Sequence, residues 1–430
     1  MLKEFVRKKL ENYVKLYFKK HPEVKLVVVT GSVGKTSTKR ALGTLLHQYL
    51  RVRMEEKSLN TEMSAPIGIL GIQYPTDVRN IFGWLAIFKA AKQRINNPTD
   101  VDVIIQELGS DHPGDVALFG NYLKPDFAMV TGVTPEHMEF FKTLDAVAKE
   151  ELSVTEYSGY TFINSDDVSS QYADYANNPN FTTYGVTEMA EYRLEPGDFN
   201  PDNGYLCKVY APEVQEPFDV QVKVLGEHSL RPVAGAIGMA LKLGLTPEQI
   251  QSSASQLKAV PGRMNMLKGI GGTTIIDDTY NSSPAAAVAA LRTLYELFAN
   301  APQRIAMLGD MRELGESSKS EHEALAMACD PNRLEWVVTV GPETEQYLAP
   351  IAKQRGCQVK SFMSSIDAGK FVSSVMQEGA VILAKGSQNN IFLEEAVINL
   401  IVMTEDVKVV RQSPEWIATK KKFFESLVNQ

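Results

Sequence analysis

Short apolar runs alternate along this chain with stretches in which apolar residues recur every three or four positions. That alternation belongs to parallel strands joined by helices covering both faces of a sheet. Leu26-Val27-Val28-Val29, Val101–Glu107, Phe127–Thr131 and Gly159–Asn164 predict strands of a first α/β unit. Helices are expected from about Lys35 to Tyr49 and from Leu230 to Leu243, the second closed by Gly244. Between Tyr192 and Leu225 short alternating segments are broken by Pro196-Gly197, Asn203-Gly204 and Pro217, which predicts an antiparallel insert. Pro261-Gly262 punctuates the chain, and fresh runs at Thr273–Asp277, Arg304–Leu308, Trp336–Val340 and Ala380–Ala384 predict a second α/β unit.

The first apolar run leads into Thr30-Gly31-Ser32-Val33-Gly34-Lys35-Thr36-Ser37. A strand, a glycine-framed turn and a Lys-Thr pair opening a helix make a phosphate cradle. Gly31 and Gly34 let the backbone N–H groups of Ser32, Val33 and Ser37's turn close on an anion. Lys35 reaches terminal phosphates, and Thr36 meets Mg2+ at the positive end of the helix. The common pattern places a glycine where Val29 stands. ATP and Mg2+ are the expected ligands, so the fold expectation is α/β. It comprises a basic amphipathic helix over 1–24, a central P-loop NTPase-like parallel-sheet domain over 25–262 and a C-terminal Rossmann-like α/β domain over 263–430.

Composition adds exclusions. The 430 residues, 44% hydrophobic and 22% charged, are globular values for more than one domain, and a net charge of -8 argues against nucleic acid as a partner. Cys207, Cys329 and Cys357 are too far apart for a zinc ribbon or a disulfide framework. No apolar run approaches a membrane span of about eighteen residues and the start has no secretion-signal core, so a cytoplasmic location is expected.

Other chemistry collects at predicted strand ends, where open α/β sheets bind ligands. Glu107 ends one strand and is placed to reach the cradle's Mg2+, with a solvated strand-end acid as the alternative. His137, in Glu136-His137-Met138-Glu139, is a candidate second metal ligand or a structural histidine. Asp277-Asp278-Thr279-Tyr280-Asn281 suits ribose hydroxyls or an amine, although Ser283-Pro284 reads equally as a helix cap.

In this order the segments resemble the Mur ligase family of ATP-dependent amide ligases, from Lys25 to about Leu400. The likeness rests on Thr30–Thr36, Asn60-Thr61-Glu62-Met63-Ser64-Ala65-Pro66, Glu107-Leu108-Gly109 with Pro113-Gly114, Glu136–Glu139, Asp277–Asn281 with Pro284, and Leu308-Gly309-Asp310-Met311-Arg312-Glu313-Leu314-Gly315. The last two are typical of the branch that adds D-alanyl-D-alanine to a muramoyl peptide, and Lys385-Gly386-Ser387 also matches. The resemblance implies phosphorylation of a substrate carboxylate and attack on the acyl phosphate by an amine. It implies one Mg2+ on Thr36 and Glu107 and a second on His137. Arg263, Asp278 and Asn281 become candidates for nucleotide or amine contacts, Lys385 and Ser387 for the same cleft, and Asn60 and Thr61 for the acyl substrate. The implied partners are a muramoyl-peptide-like acid and a D-alanyl-D-alanine-like amine, with a monomeric chain.

Three departures stand out. Only about two dozen residues precede the first strand, where the family carries a uridine-binding domain. Glu151 occupies the position, fourteen residues after the histidine, of a lysine that many relatives carbamylate; a permanent carboxylate is expected to serve there. The family's Gly-Arg-His-Asn segment reads Gly226-Glu227-His228-Ser229. In the N-terminal segment Leu2, Phe5, Val6, Leu10, Tyr13, Val14 and Tyr17 recur at helical spacing among lysines, and a second such stretch runs from Arg79 to Arg94. These suit either an anionic membrane or packing on the central sheet. A P-loop kinase and a nucleotide-dependent binding module are the other classes. The C-terminal segments speak against the first, and a carboxylate-activating site against the second.

Overall fold

The computed structural model describes residues 2–56, 59–75 and 81–428, and the chain forms two compact units. The first comprises 1–134, 140–222 and 230–257; the second comprises 135–139, 223–229 and 258–430.

The first unit is built on a nine-stranded sheet. Its strands are β1 (Lys25–Thr30), β2 (Val52–Met54), β3 (Val103–Glu107), β4 (Phe127–Val130), β5 (Tyr160–Asn164), β6 (Phe181–Gly185), β7 (Tyr192–Asn200), β8 (Gly204–Tyr210) and β9 (Phe218–Val222), in the order β2-β3-β1-β4-β5-β6-β7-β8-β9. Pairing is parallel from β2 through β7, and antiparallel from β7 to β9. The alternating segments therefore extend the same sheet. β1 is apolar and buried on both faces because it lies in the middle, between β3 and β4. Strand order reverses there, and the crevice at the carboxyl ends of such strands is where α/β sheets take ligands.

Helices α1 (Leu2–Lys20), α2 (Lys35–Leu46), α3 (Ala65–Leu70) and α4 (Ile81–Asn96) belong to the same unit. The apolar face of α1 is core: Leu10, Val14 and Tyr17 are inaccessible, and Val6 and Tyr13 nearly so. Trp84, Ile87, Phe88, Ala91 and Ile95 bury the inner face of α4. Those residues of the α1 stripe therefore pack on protein, while Phe5 of the same stripe stays exposed; Arg79 and the side chains of Leu2 and Ile81 lie outside the described residues.

The second unit carries a six-stranded sheet of β10 (Asn265–Lys268), β11 (Thr274–Asp278), β12 (Arg304–Gly309), β13 (Trp336–Val340), β14 (Val359–Phe362) and β15 (Val381–Lys385), in the order β10-β11-β15-β12-β13-β14. Only β10 is antiparallel. The Rossmann-like expectation holds, and β15, the last strand in sequence, sits at the centre between β11 and β12. Ile275, Ile305, Met307, Ile382 and Leu393 anchor its core.

Candidate active site

The turn after β1 has the geometry its glycines allow. Gly31 has φ 127° and Gly34 φ 85°, both in the left-handed region. A Cβ at Gly31 would lie 2.3 Å from Thr131 Oγ1, so the backbone approach admits no side chain. Thr131 braces the loop, its hydroxyl placed 2.9 Å from the Thr30 carbonyl and 2.5 Å from that of Val33. Ser32 Oγ accepts the Thr134 N–H at 2.7 Å and lies 3.1 Å from the Gly132 carbonyl. Gly34 caps α2 with no side-chain partner, Lys35 opens the helix with Nζ donating to the Gly31 carbonyl, and Ser37 lies in its first turn.

Glu107 closes β3, which pairs with β1 in register, so its carboxylate falls beside the start of α2. Thr36 Oγ1 donates to Glu107 Oε2 at 3.1 Å, and Asn60 Nδ2 to Oε1 at 3.4 Å. Lys39 Nζ lies 3.1 Å from Oε2; both side chains are buried, with 2% and 3% exposure. Sequence reasoning missed Lys39, yet its spacing of four from Lys35 puts both on one helix face. Thr61 serves its own loop, exchanging hydrogen bonds with Ser64 at the entry to α3.

Glu151, in the helix Leu144–Leu152, is buried, and its Oε2 accepts from the Thr30 hydroxyl at 2.5 Å and the Gly31 N–H at 2.7 Å. His137 belongs with residues 135–139 in the second unit, where Nδ1 lies 2.8 Å from Glu313 Oε2; that hydrogen bond holds the Glu313 carboxyl below its usual range. Among the described residues no three His, Cys, Asp or Glu side chains cluster as a metal site. The oxygens of Thr36 and Glu107 fit Mg2+, which needs few protein donors and fills its shell with water and phosphate oxygens.

In the second unit, strand register brings two of the candidate residues, Asp278 and Lys385, together. Asp278 at the end of β11 is the register partner of Lys385 at the end of β15, and Lys385 Nζ lies 3.1 Å from Asp278 Oδ2 and donates to the Asn281 carbonyl. Asp278 Oδ1 accepts the Met264 N–H at 3.1 Å. Ser387 Oγ donates to the Asp310 carbonyl and accepts the Arg312 N–H at 3.2 Å. Asn281 Oδ1 accepts from Ser282 N at 2.9 Å, and the Arg263 guanidinium stacks 4.3 Å from the Tyr280 ring centroid. Burial pushes the neighbouring Asp277 carboxyl up to about 6. Arg411, unsuspected from sequence, donates to the carbonyls of Thr279 at 2.6 Å and Tyr280 at 3.1 Å while pairing with buried Glu394 at 2.8 Å. No motif announces it, because it acts across more than a hundred residues on backbone atoms.

A glycine-framed loop at the reversal point of a parallel sheet, with an acidic strand end beside its helix, defines a phosphate-loop nucleotide-binding protein carrying a second α/β domain. The chain belongs to the Mur ligase family: the Mur ligase middle domain matches residues 29–240, and the Mur ligase glutamate ligase domain matches residues 262–388. It is 24% identical over 384 residues, 88% of this chain and 76% of the relative, to the UDP-N-acetylmuramoyl-tripeptide--D-alanyl-D-alanine ligase of Bacillus subtilis. The Escherichia coli protein of that name is 25% identical over 74% of this chain and 65% of its own. Among solved structures, MurF from Acinetobacter baumannii aligns with TM-score 0.74 and 22% identity over 91% of this chain and 80% of that one. MurF ligase from Thermotoga maritima in complex with ADP aligns at 0.71 and 23%, over 91% and 83%. The two structural likenesses establish the fold.

Proposed function

We propose that this chain is an ATP-dependent, ADP-forming ligase joining a D-alanyl-D-alanine-like amine to the carboxylate of a muramoyl peptide. The observation that carries the reading is the meeting of Thr36, Lys39 and Glu107 at the start of α2, directly after the glycine loop. The family membership, and the activity for which the relatives in Bacillus subtilis and Escherichia coli are named, support the choice of acid and amine.

A carboxylate resists attack by an amine until one oxygen is made a leaving group. Transfer of the γ-phosphoryl group of ATP to that oxygen breaks the β–γ bond and releases ADP. Attack of the amine nitrogen on the acyl carbon then forms the amide, and inorganic phosphate departs while the amine loses a proton. The loop N–H groups and Lys35 offset phosphate charge, and Thr36 and Glu107 would hold Mg2+, which neutralises charge on the phosphoryl oxygens. Lys39 holds the Glu107 carboxylate in place through the ion pair. Glu151 fixes the start of the loop by accepting the Gly31 N–H. In the second unit Lys385, Asp278 and the carbonyl of Asn281 form a polar group suited to an ammonium or a ribose.

The test is ADP release with muramoyl peptides and D-alanyl-D-alanine, each alone and together, with the acid carried on uridine diphosphate, on a lipid or free. A ligase turns over only with both acid and amine. Turnover with the acid alone, or phosphate retained on a hydroxyl, refutes the reading. An active pair with a different acid or amine would keep the ligase and replace its substrates.

A further inference from the structure

The chain's net charge of -8 hides a local reversal. α1 carries Lys3, Arg7, Lys8, Lys9, Lys15, Lys19 and Lys20 against Glu4 and Glu11, and α4 carries Lys89, Lys92 and Arg94 with no acidic residue. The helices lie side by side. The Tyr13 and Phe88 rings are 6.0 Å apart, His21 Nε2 is 3.2 Å from the Ile95 carbonyl, and Lys20 Nζ donates to Asn96 at 3.1 Å. The two helices therefore carry ten basic against two acidic side chains, of which Lys3 and Arg94 pair with Glu62 and Asp100 from neighbouring loops.

With the inner faces in the core, the outer faces still carry large apolar groups: Phe82 is 81% exposed, Phe5 58% and Leu85 55%. Lys9 Nζ lies 5.3 Å from the Phe5 ring centroid and 4.3 Å from that of Phe88, so apolar and cationic groups interleave. Leu85, Lys89 and Lys92 stand one turn apart on a single stripe of α4. Large exposed apolar groups gathered at one site mark an interaction surface. Aromatic and aliphatic tips among lysines, whose long stems carry the ammonium outwards, suit the boundary between acyl chains and anionic headgroups.

We propose that the outer face of α1 and α4 docks on an anionic lipid bilayer, with Phe5, Phe82 and Leu85 entering the headgroup boundary and Lys9, Lys89 and Lys92 meeting lipid phosphates and carboxylates. The same end of α1 touches the loop of Asn60, since Lys3 Nζ pairs with Glu62 Oε1 at 3.0 Å. Docking brings that loop to the membrane surface whichever substrate it serves.

Co-sedimentation with phosphatidylcholine vesicles, with and without about a third phosphatidylserine, tests this. Partition should be about tenfold or more stronger onto the anionic vesicles and should fall as salt rises. Phe82→Ser with Leu85→Ser should lower it about tenfold, and Lys89→Glu with Lys92→Glu should remove the preference for anionic lipid, both with unchanged far-UV circular dichroism and ADP release. Absent or equal binding to the two vesicle types, or binding untouched by either pair of substitutions, overturns the proposal. Self-association that disappears in the Phe82→Ser, Leu85→Ser protein, without vesicle binding, would assign the face to a second copy instead.

Discussion

Glu151 Oε2 accepts the Gly31 N–H at 2.7 Å, so a buried carboxylate from a distant helix grips the first residue of the phosphate loop. The same oxygen takes the Thr30 hydroxyl. A glutamate reaches the loop itself, whereas a carbamylated lysine would carry its carboxylate about three chain atoms further. Glu151→Gln keeps the shape and removes the charge, so kcat should fall about 10–100-fold with little change in stability. Depleting bicarbonate should leave the parent protein's rate unchanged; loss of activity that bicarbonate restores would show that another residue is carbamylated.

Lys35 is half-buried in the first turn of α2, with its Nζ on the Gly31 carbonyl, and is not one of the buried core residues, so Lys35→Ala should leave circular dichroism and melting intact. Turnover should drop by about 10²-fold or more, because its charge acts on the transferring phosphoryl group. Near-normal ADP release from this variant would remove the loop from the ATP site.

Lys39 and Glu107 form an ion pair with almost no solvent contact. Lys39→Met strands a buried carboxylate and should cost about 3–5 kcal/mol in denaturant unfolding. Adding Glu107→Gln should recover part of that loss, since the double variant buries no unpaired charge. Additive losses in the double-mutant cycle would mean that the two side chains are not coupled.

Burial pushes the Cys207 and Cys329 thiols up to about 12. At pH 8 almost none of either thiol is then ionised, and native protein should react with a disulfide reagent far more slowly than unfolded protein. The folded state holds these protons more tightly than the unfolded one. Their contribution to stability is therefore complete below about pH 8.5 and is lost as pH rises from there towards 12. Fast labelling of both thiols at pH 8 without denaturant would contradict this burial.

Much of this protein is legible from local pattern. The loop from Thr30 to Thr36 announces itself because a phosphate cradle needs glycines, a lysine and a hydroxyl at fixed spacing between a strand and a helix. The buried strands are visible as apolar runs because central parallel strands have no polar face. Trp336–Val340 is read to the residue, and Arg304–Leu308 falls one short at Gly309. Short or half-exposed strands such as Val52–Met54 and Val359–Phe362 carry too little pattern to be seen. The face that α1 buries could not be chosen from periodicity, since an amphipathic stripe looks alike against lipid or protein, and only α3 and α4 beside it decide. Lys39, Thr131 and Arg411 were invisible for a related reason: their work is done on atoms brought near by strand register and chain return. Sequence by itself determined the glycine-framed turn between β1 and α2, the two α/β units and the family. The tertiary structure alone decided that Asp278 meets Lys385, that Glu151 holds Gly31 and that His137 meets Glu313, because contacts between residues far apart in the chain are set by the register of whole strands and the packing of helices on them.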